Sequence, residues 1–253
     1  MERRLISVTG PDARAFLQGL VTNDIARVDR DGIAWAALLT PQGKYLSDFF
    51  VTLWPDGYLL DVPEAQADDL IRRLTMYKLR ARADLGAPAA KVARGTGPAP
   101  EGALPDPRHP GLGWRLYAAE VPADDGTDWD ALRVRFLVPE SGIELVPNDS
   151  YILEHGFDRL NGVDFRKGCY VGQEVTARMR HKTTLRKGLV HARLDGAVPP
   201  GTPVTRDGRE VGQVLTQSGG QAIAWLRFDR IGPGMEAAGV PVAAEAPAAA
   251  DPG

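Results

Sequence analysis

The sequence predicts an α+β region over residues 1–185, a small antiparallel β-barrel over 186–243 and a disordered tail over 244–253. Three observations predict this. Helical and strand patterns are mixed in the first part, without the regular strand–helix alternation of a doubly wound sheet. From residue 186 the texture changes to short strands separated by Gly, Pro and Asp turns. The end, EAPAAADPG, is low-complexity and offers no apolar face to bury.

The elements follow in order. LISVTG reads as a strand. GPDARAFLQGLVTND reads as a helix: Pro11 suits its first turn, and Ala13, Phe16, Leu17 and Leu20 recur at i, i+3, i+4 and i+7. IAWAALLT is a strand, and KYLSDFFVTLW with YLLDV forms a hairpin around the turn Pro55-Asp56-Gly57. PEAQADDLIRRLTMYKL is a second helix. Pro63 and Glu64 open it, Arg72, Arg73 and Lys78 lie late, and Leu70, Ile71 and Leu74 form its buried stripe. RADLGAPAAKVARG contains strand, GTGPAPEGALPDPRHPGLG is loop, and WRLYAAEV is a strand. DWDALRVRFL is a short helix capped by Asp128 or Asp130. The barrel strands come from RKGLVHARLDG, TPVTRDGREVGQVLTQ, QAIAWLRF and MEAAGVPVAA. There is no internal repeat, no coiled-coil heptad, no GxGxxG after a strand, no Walker loop and no HExxH.

The net charge of −3, from 30 basic and 33 acidic residues, calls for no polyanionic partner. No run approaches the roughly 18 apolar residues of a membrane span, so no membrane partner is expected. The start, MERRLISVTGPDARAF, is basic but lacks an apolar signal core. A single cysteine excludes an internal disulfide and points to a cytoplasmic protein. Nor can one cysteine hold a zinc or iron–sulfur site alone, because those need about four ligands.

That cysteine, Cys169, sits in FRKGCYVGQEVTAR. Residues 165–187 hold seven basic residues against the single acid Glu174, a local +6, which leaves −9 for the rest of the chain. Lys167 and Arg178, close to the glycines, are expected to form an anion site. Gly168 and Gly172 would allow close backbone approach and positive φ. A helix opening at Gln173 would offer free N–H groups to an anion, and with Lys167 it would favour a thiolate at Cys169. The alternative is that Cys169 is a small buried apolar residue. Glu174 could accept two parallel N–H bonds from a flat heterocycle such as a pterin, and Gln173 offers a donor and an acceptor together. Alternatively, Glu174 merely complements the helix dipole. The basic cluster lacks the interleaved aromatics that stack bases, so direct nucleic-acid binding is not expected.

KGCYVGQE, residues 167–174, matches the K-G-C-[YF]-x-G-Q-E signature of the YgfZ-type folate-binding proteins. That family includes a mitochondrial iron–sulfur assembly factor and is related to the glycine-cleavage T-protein, a folate-dependent aminomethyltransferase. VTGPDARAFLQGLVTNDI, LTPQGKYLSDFFV, YKLRARADL and DPRHPGLGWR resemble further parts of the family, over roughly residues 5–240. The resemblance implies a T-protein-like three-lobed folate-binding fold with a C-terminal barrel. It implies tetrahydrofolate or a derivative as cofactor. The function implied is support of iron–sulfur cluster assembly or repair and, through cluster-containing enzymes, of tRNA modification. Partners are then reduced folate and iron–sulfur assembly or client proteins. The alternative activity is a folate-dependent aminomethyltransferase or demethylase. The T-protein's pterin-binding Glu segment has no match near YAAEVPADDG. Carried over residue by residue, Cys169 is the reactive residue. Asp48, Arg133, Glu154, Lys167, Tyr170, Gln173, Glu174 and Arg178 are the cofactor-binding set.

Overall fold

The structure is a computed structural model and describes residues 2–182 and 184–247. Of the tail expected over 244–253, positions 248–253 lie outside the described residues. The chain forms two compact units, and their division differs from a boundary at 185. The first comprises the chain up to Thr127 together with Pro147–Asp149 and Phe157–Ala177. The second gathers Asp128–Val146, Ser150–Gly156 and the chain from Arg178 onward.

The first unit starts with β1 (Arg3–Thr9), α1 (Ala13–Gln18), α2 (Ala26–Asp31) and β2 (Ile33–Leu39). Then come β3 (Tyr45–Trp54), β4 (Gly57–Pro63), α3 (Glu64–Lys78) and β5 (Asp84–Gly86). An antiparallel sheet results, in the order β2-β3-β4-β1-β5. The strand period of two gives it two different faces. Ala34, Ala36, Leu38, Phe49, Val51, Tyr58, Leu60 and Val62 join Phe16 and Leu17 of α1 and Leu70 and Leu74 of α3 in one hydrophobic core. The other face carries Trp35, Phe50 and Asp61, which are direct cross-strand neighbours, with Asp48 opposite Ala37. β6 (Lys91–Gly95), β7 (Leu104–Pro105) and β8 (Trp114–Ala118) make a second sheet in the order β6-β8-β7. The segment expected to be loop thus contributes a short edge strand.

In the second unit α4 (Trp129–Phe136) is capped by Asp128, whose Oδ1 accepts from the Ala131 N–H at 2.9 Å. A helix α5 (Gln173–Lys182) ends in this unit. Strands β9 (Lys187–Leu194), β10 (Pro203–Arg206), β11 (Arg209–Ser218), β12 (Gln221–Arg227), β13 (Glu236–Ala237) and β14 (Val240–Ala244) close a barrel in the order β10-β11-β12-β9-β14-β13. Alternate residues Val190, Ala192 and Leu194 of β9 face its core with Val204, Val214 and Ala224. Leu189, Leu215 and Ile223 pack with Val134 of α4. No helix among the described residues is long and apolar enough to cross a membrane.

Candidate functional site

The second face of the first unit's sheet is buried and charged. Asp48 of β3 is 6% exposed, and its carboxylate accepts from Trp35 Nε1 at 2.9 Å and from the Tyr45 hydroxyl at 2.7 Å. Trp35 stacks on Phe157 with ring centroids 4.0 Å apart. Around Phe50 gather Arg115, Arg108 and Arg3, with guanidinium carbons 3.6, 4.8 and 5.6 Å from its ring centroid. Asp61 accepts from Arg3 at 2.6 Å, Arg115 at 2.7 Å and the Tyr117 hydroxyl at 2.9 Å. Asp106 takes both arms of the Arg108 fork at 2.9 and 2.8 Å and the Arg115 Nε at 3.3 Å. Burial works to raise Asp61, but the Arg3 and Arg115 charges outweigh it and hold the carboxyl below its ordinary range. Asp106 behaves likewise under Arg108 and Arg115. Asp61, Asp106 and Arg115 are not among the site residues expected from the sequence. For Asp106 and Arg115 the signal was the DPRHPGLGWR stretch, where both are buried although charge ordinarily marks surface.

The cysteine turn packs on a different part of the same unit. Lys167 is buried, and its ammonium donates to the carbonyls of Gln18 at 2.8 Å, Val21 at 2.5 Å and Asn23 at 2.9 Å. Three N–H groups meet three acceptors, which matches the full donor count of an ammonium. The same loop is tied twice more. Thr22 Oγ1 donates to the Gly162 carbonyl at 2.7 Å, and Asn23 Nδ2 to the Asn161 carbonyl at 2.6 Å. The VTND stretch and the NGVDFRKG stretch, some 140 residues apart, therefore fold as one piece. Burial pulls Lys167 down to about 8, against Asp24 and Asp164, which raise it. Lys167 was expected in an anion site, but its donors go to the backbone.

Past Lys167 the chain surfaces at Gly168 and Cys169, both exposed, and dives again at Tyr170, which is 8% exposed. Burial pushes the Tyr170 hydroxyl up to about 12, and the Lys167 ammonium stands 5.1 Å from its ring centroid. The exposed thiol is not the small buried residue considered as the alternative. Tyr170 and Gln173 close the turn reciprocally: the Gln173 N–H donates to the Tyr170 carbonyl at 3.2 Å, and the Tyr170 N–H donates to Gln173 Oε1 at 3.2 Å. Gly172 takes φ +82°, and a Cβ there would stand 2.6 Å from the Thr40 carbonyl oxygen. Gly43, at φ +74°, faces it, and a Cβ there would stand 2.8 Å from Val175 Cβ. Gly168 needs no such freedom, since a Cβ would meet nothing within 4 Å and its φ is not left-handed. That corrects the expectation that both glycines serve close approach. Glu174 is exposed and forms no ion pair among the described residues.

Three of the expected residues lie in the second unit. Arg133 is 4% exposed. It pairs with Glu144 at 2.7 Å and Glu140 at 2.9 Å, and donates to the Thr216 hydroxyl. Burial lowers its proton affinity, but Glu144 and Glu140 outweigh that and raise it. Glu154 is half-buried and lies 3.7 Å from the Lys187 ammonium. Arg178 is exposed on α5.

Comparison with known proteins agrees with this architecture. Residues 186–252 match the family described as CAF17, C-terminal beta-barrel domain. The chain is 34% identical to the iron–sulfur cluster assembly factor IBA57 homolog, mitochondrial, of Pyricularia oryzae, over 90% of this chain and 70% of that protein. It is 31% identical to the human mitochondrial IBA57 over 97% and 82% of the two chains. The Neurospora crassa homolog is 33% identical, but the match covers only 54% of that longer protein. Among solved structures, the glycine cleavage system aminomethyltransferase T from Bartonella henselae superposes with a TM-score of 0.75 at 14% identity. That match covers 99% of this chain and 83% of the other and shows a shared fold. These named IBA57 relatives are mitochondrial, which overturns the expectation of a cytoplasmic protein. A single cysteine reports that no internal disulfide forms, and several reducing compartments satisfy that equally. The chain belongs to the IBA57 family of iron–sulfur cluster assembly factors, built on the T-protein fold.

Proposed function

We propose that this protein supports the assembly or repair of iron–sulfur clusters through the thiol of Cys169, with reduced folate as a bound ligand. The observation that carries this reading is the setting of Cys169: an exposed thiol beside an exposed glycine, with buried Lys167 and Tyr170 on either side. A thiolate is a ligand for cluster iron, and one cysteine supplies one of about four that a cluster needs. Among the described residues, no group of three or more His, Cys, Asp or Glu side chains gathers to supply the rest. The cluster is then cargo, its other ligands come from the protein that carries it, and Cys169 binds it transiently. Enzymes that modify tRNA with the help of clusters would depend on this protein indirectly.

The residues suit folate in part. Glu174 and Arg178 are exposed, while Lys167, Gln173 Oε1 and Arg133 are engaged by protein groups. Folate is accordingly assigned a binding role, with Glu174 as the carboxylate proposed to receive its pterin edge and Asp48 engaged by Trp35 and Tyr45, and no chemical step is derived through it. Titration calorimetry with tetrahydrofolate tests this. Removing one charge-assisted contact in Glu174→Gln should weaken binding about tenfold or more. Absence of binding to the wild-type protein at millimolar ligand would remove folate from the account. The cluster role is tested separately, by restoring cluster-dependent enzyme activity in a host that lacks its own family member.

A further inference from the structure

Lys167 is the one charged residue of the signature stretch whose whole head group lies inside the protein. Its ammonium is bound by three carbonyls of a loop that lies 144–149 residues earlier in the chain. It is two residues from Cys169, across Gly168, where an added Cβ would meet nothing within 4 Å. On the far side the thiol is followed immediately by Tyr170, buried and locked through Gln173. An exposed sulfur atom is therefore carried on a turn held on both sides, by Lys167 and by Tyr170. All three donors of the ammonium go to the backbone, so none is left to hydrogen-bond the sulfur. We propose that Lys167 is a positioning residue, a clamp that ties the cysteine turn to the 18–23 loop so that Cys169 meets the cluster-carrying partner in one fixed orientation.

This proposal rests on the reading of Cys169 given above. The clamp is testable by amide hydrogen exchange without reference to that reading. Lys167→Met keeps the chain length and removes all three donors, which leaves the carbonyls of Gln18, Val21 and Asn23 unpaired. Protection of the amides in 18–23 and 168–172 should fall about tenfold at pH 7, the loss expected when a buried hydrogen-bonded group goes unpaired. The rest of the first unit should keep its protection. Lys167→Arg should not restore it, because a planar fork cannot bring three donors to the point where one nitrogen now sits.

Unchanged protection in a folded Lys167→Met protein overturns the clamp.

In the rescue assay Lys167→Met should lose most activity while Cys169 still reacts with iodoacetamide. That result means the thiol is present and reachable but misplaced; full rescue by Lys167→Met overturns the positioning role. If Cys169→Ala rescues fully while the exchange results hold, the reading of the thiol fails and the clamp stands.

Discussion

Lys167 in the first unit and Arg133 in the second are both buried cations that the sequence offers as ligand contacts, and the protein uses them differently. Arg133 meets charged partners, with Glu140 and Glu144 both within 2.9 Å. Lys167 donates only to neutral backbone carbonyls and keeps its titration near 8. The difference lies in what each element must hold. Arg133 lies on α4, and its ion pairs anchor Glu144, which in turn accepts from the Thr216 N–H at 3.2 Å on β11. That is a structural joint within one unit. Lys167 holds a turn whose tip is exposed, and what it fixes is the direction of that tip. Equal burial therefore does not mean an equal role.

The largest effect should come from breaking the charged joint. Arg133→Ala leaves the Glu144 side chain, 0% exposed, without its counter-charge. An uncompensated buried carboxylate costs about 3–5 kcal/mol. Urea unfolding should show that loss, with the first unit's exchange protection intact. A loss below about 1 kcal/mol would mean that the joint relaxes and that the contrast with Lys167 is weaker than described.

A smaller effect separates the two glycines of the cysteine turn. Gly172→Ala must place a methyl group 2.6 Å from the Thr40 oxygen at a left-handed φ, and should cost about 1–3 kcal/mol. Gly168→Ala meets open space and should change stability by less than about 0.5 kcal/mol. Thermal unfolding of the two variants sharpens the distinction between the packed base of the turn and its open tip. Equal losses would show that the tip is packed after all.

Much of the fold was legible because it follows local periodicity. Ala13, Phe16 and Leu17 are buried on α1 as the helical spacing required, although the helix stops at Gln18 and Leu20 is buried from the turn beyond it, and Pro55-Asp56-Gly57 turns the hairpin with Asp56 at φ 59°. The same turn chemistry also placed Asp48 on a strand. By contrast α2, ARVDRD, buries only Val28, so no apolar stripe announced it. The site was legible as a motif but not as geometry. Gly172 was expected to need positive φ and does, whereas Gly168 was given the same role and has none of its constraints. Lys167 read as part of an anion site, and Asp61 and Arg115 were not read as site residues, because their partners lie tens of residues away in sequence. Asp61 and Arg115 are 54 positions apart, and Lys167 and Val21 are 146 apart. Such pairing is a property of the folded chain that no local pattern carries.

The central claim is that the sulfur of Cys169 acts on cluster cargo from a fixed turn. The most direct measurement is the recovery of cluster-dependent enzyme activity by Cys169→Ala in a host lacking its own family member, read beside the melting temperature of the purified variant. The thiol is exposed, so its loss removes little packing and the melting temperature should stay within about 2 °C of wild type. Recovery should fall to near the level of the empty host. Full recovery by Cys169→Ala would contradict the account and leave the fold, with Asp48 on its buried face, as the place to look for function.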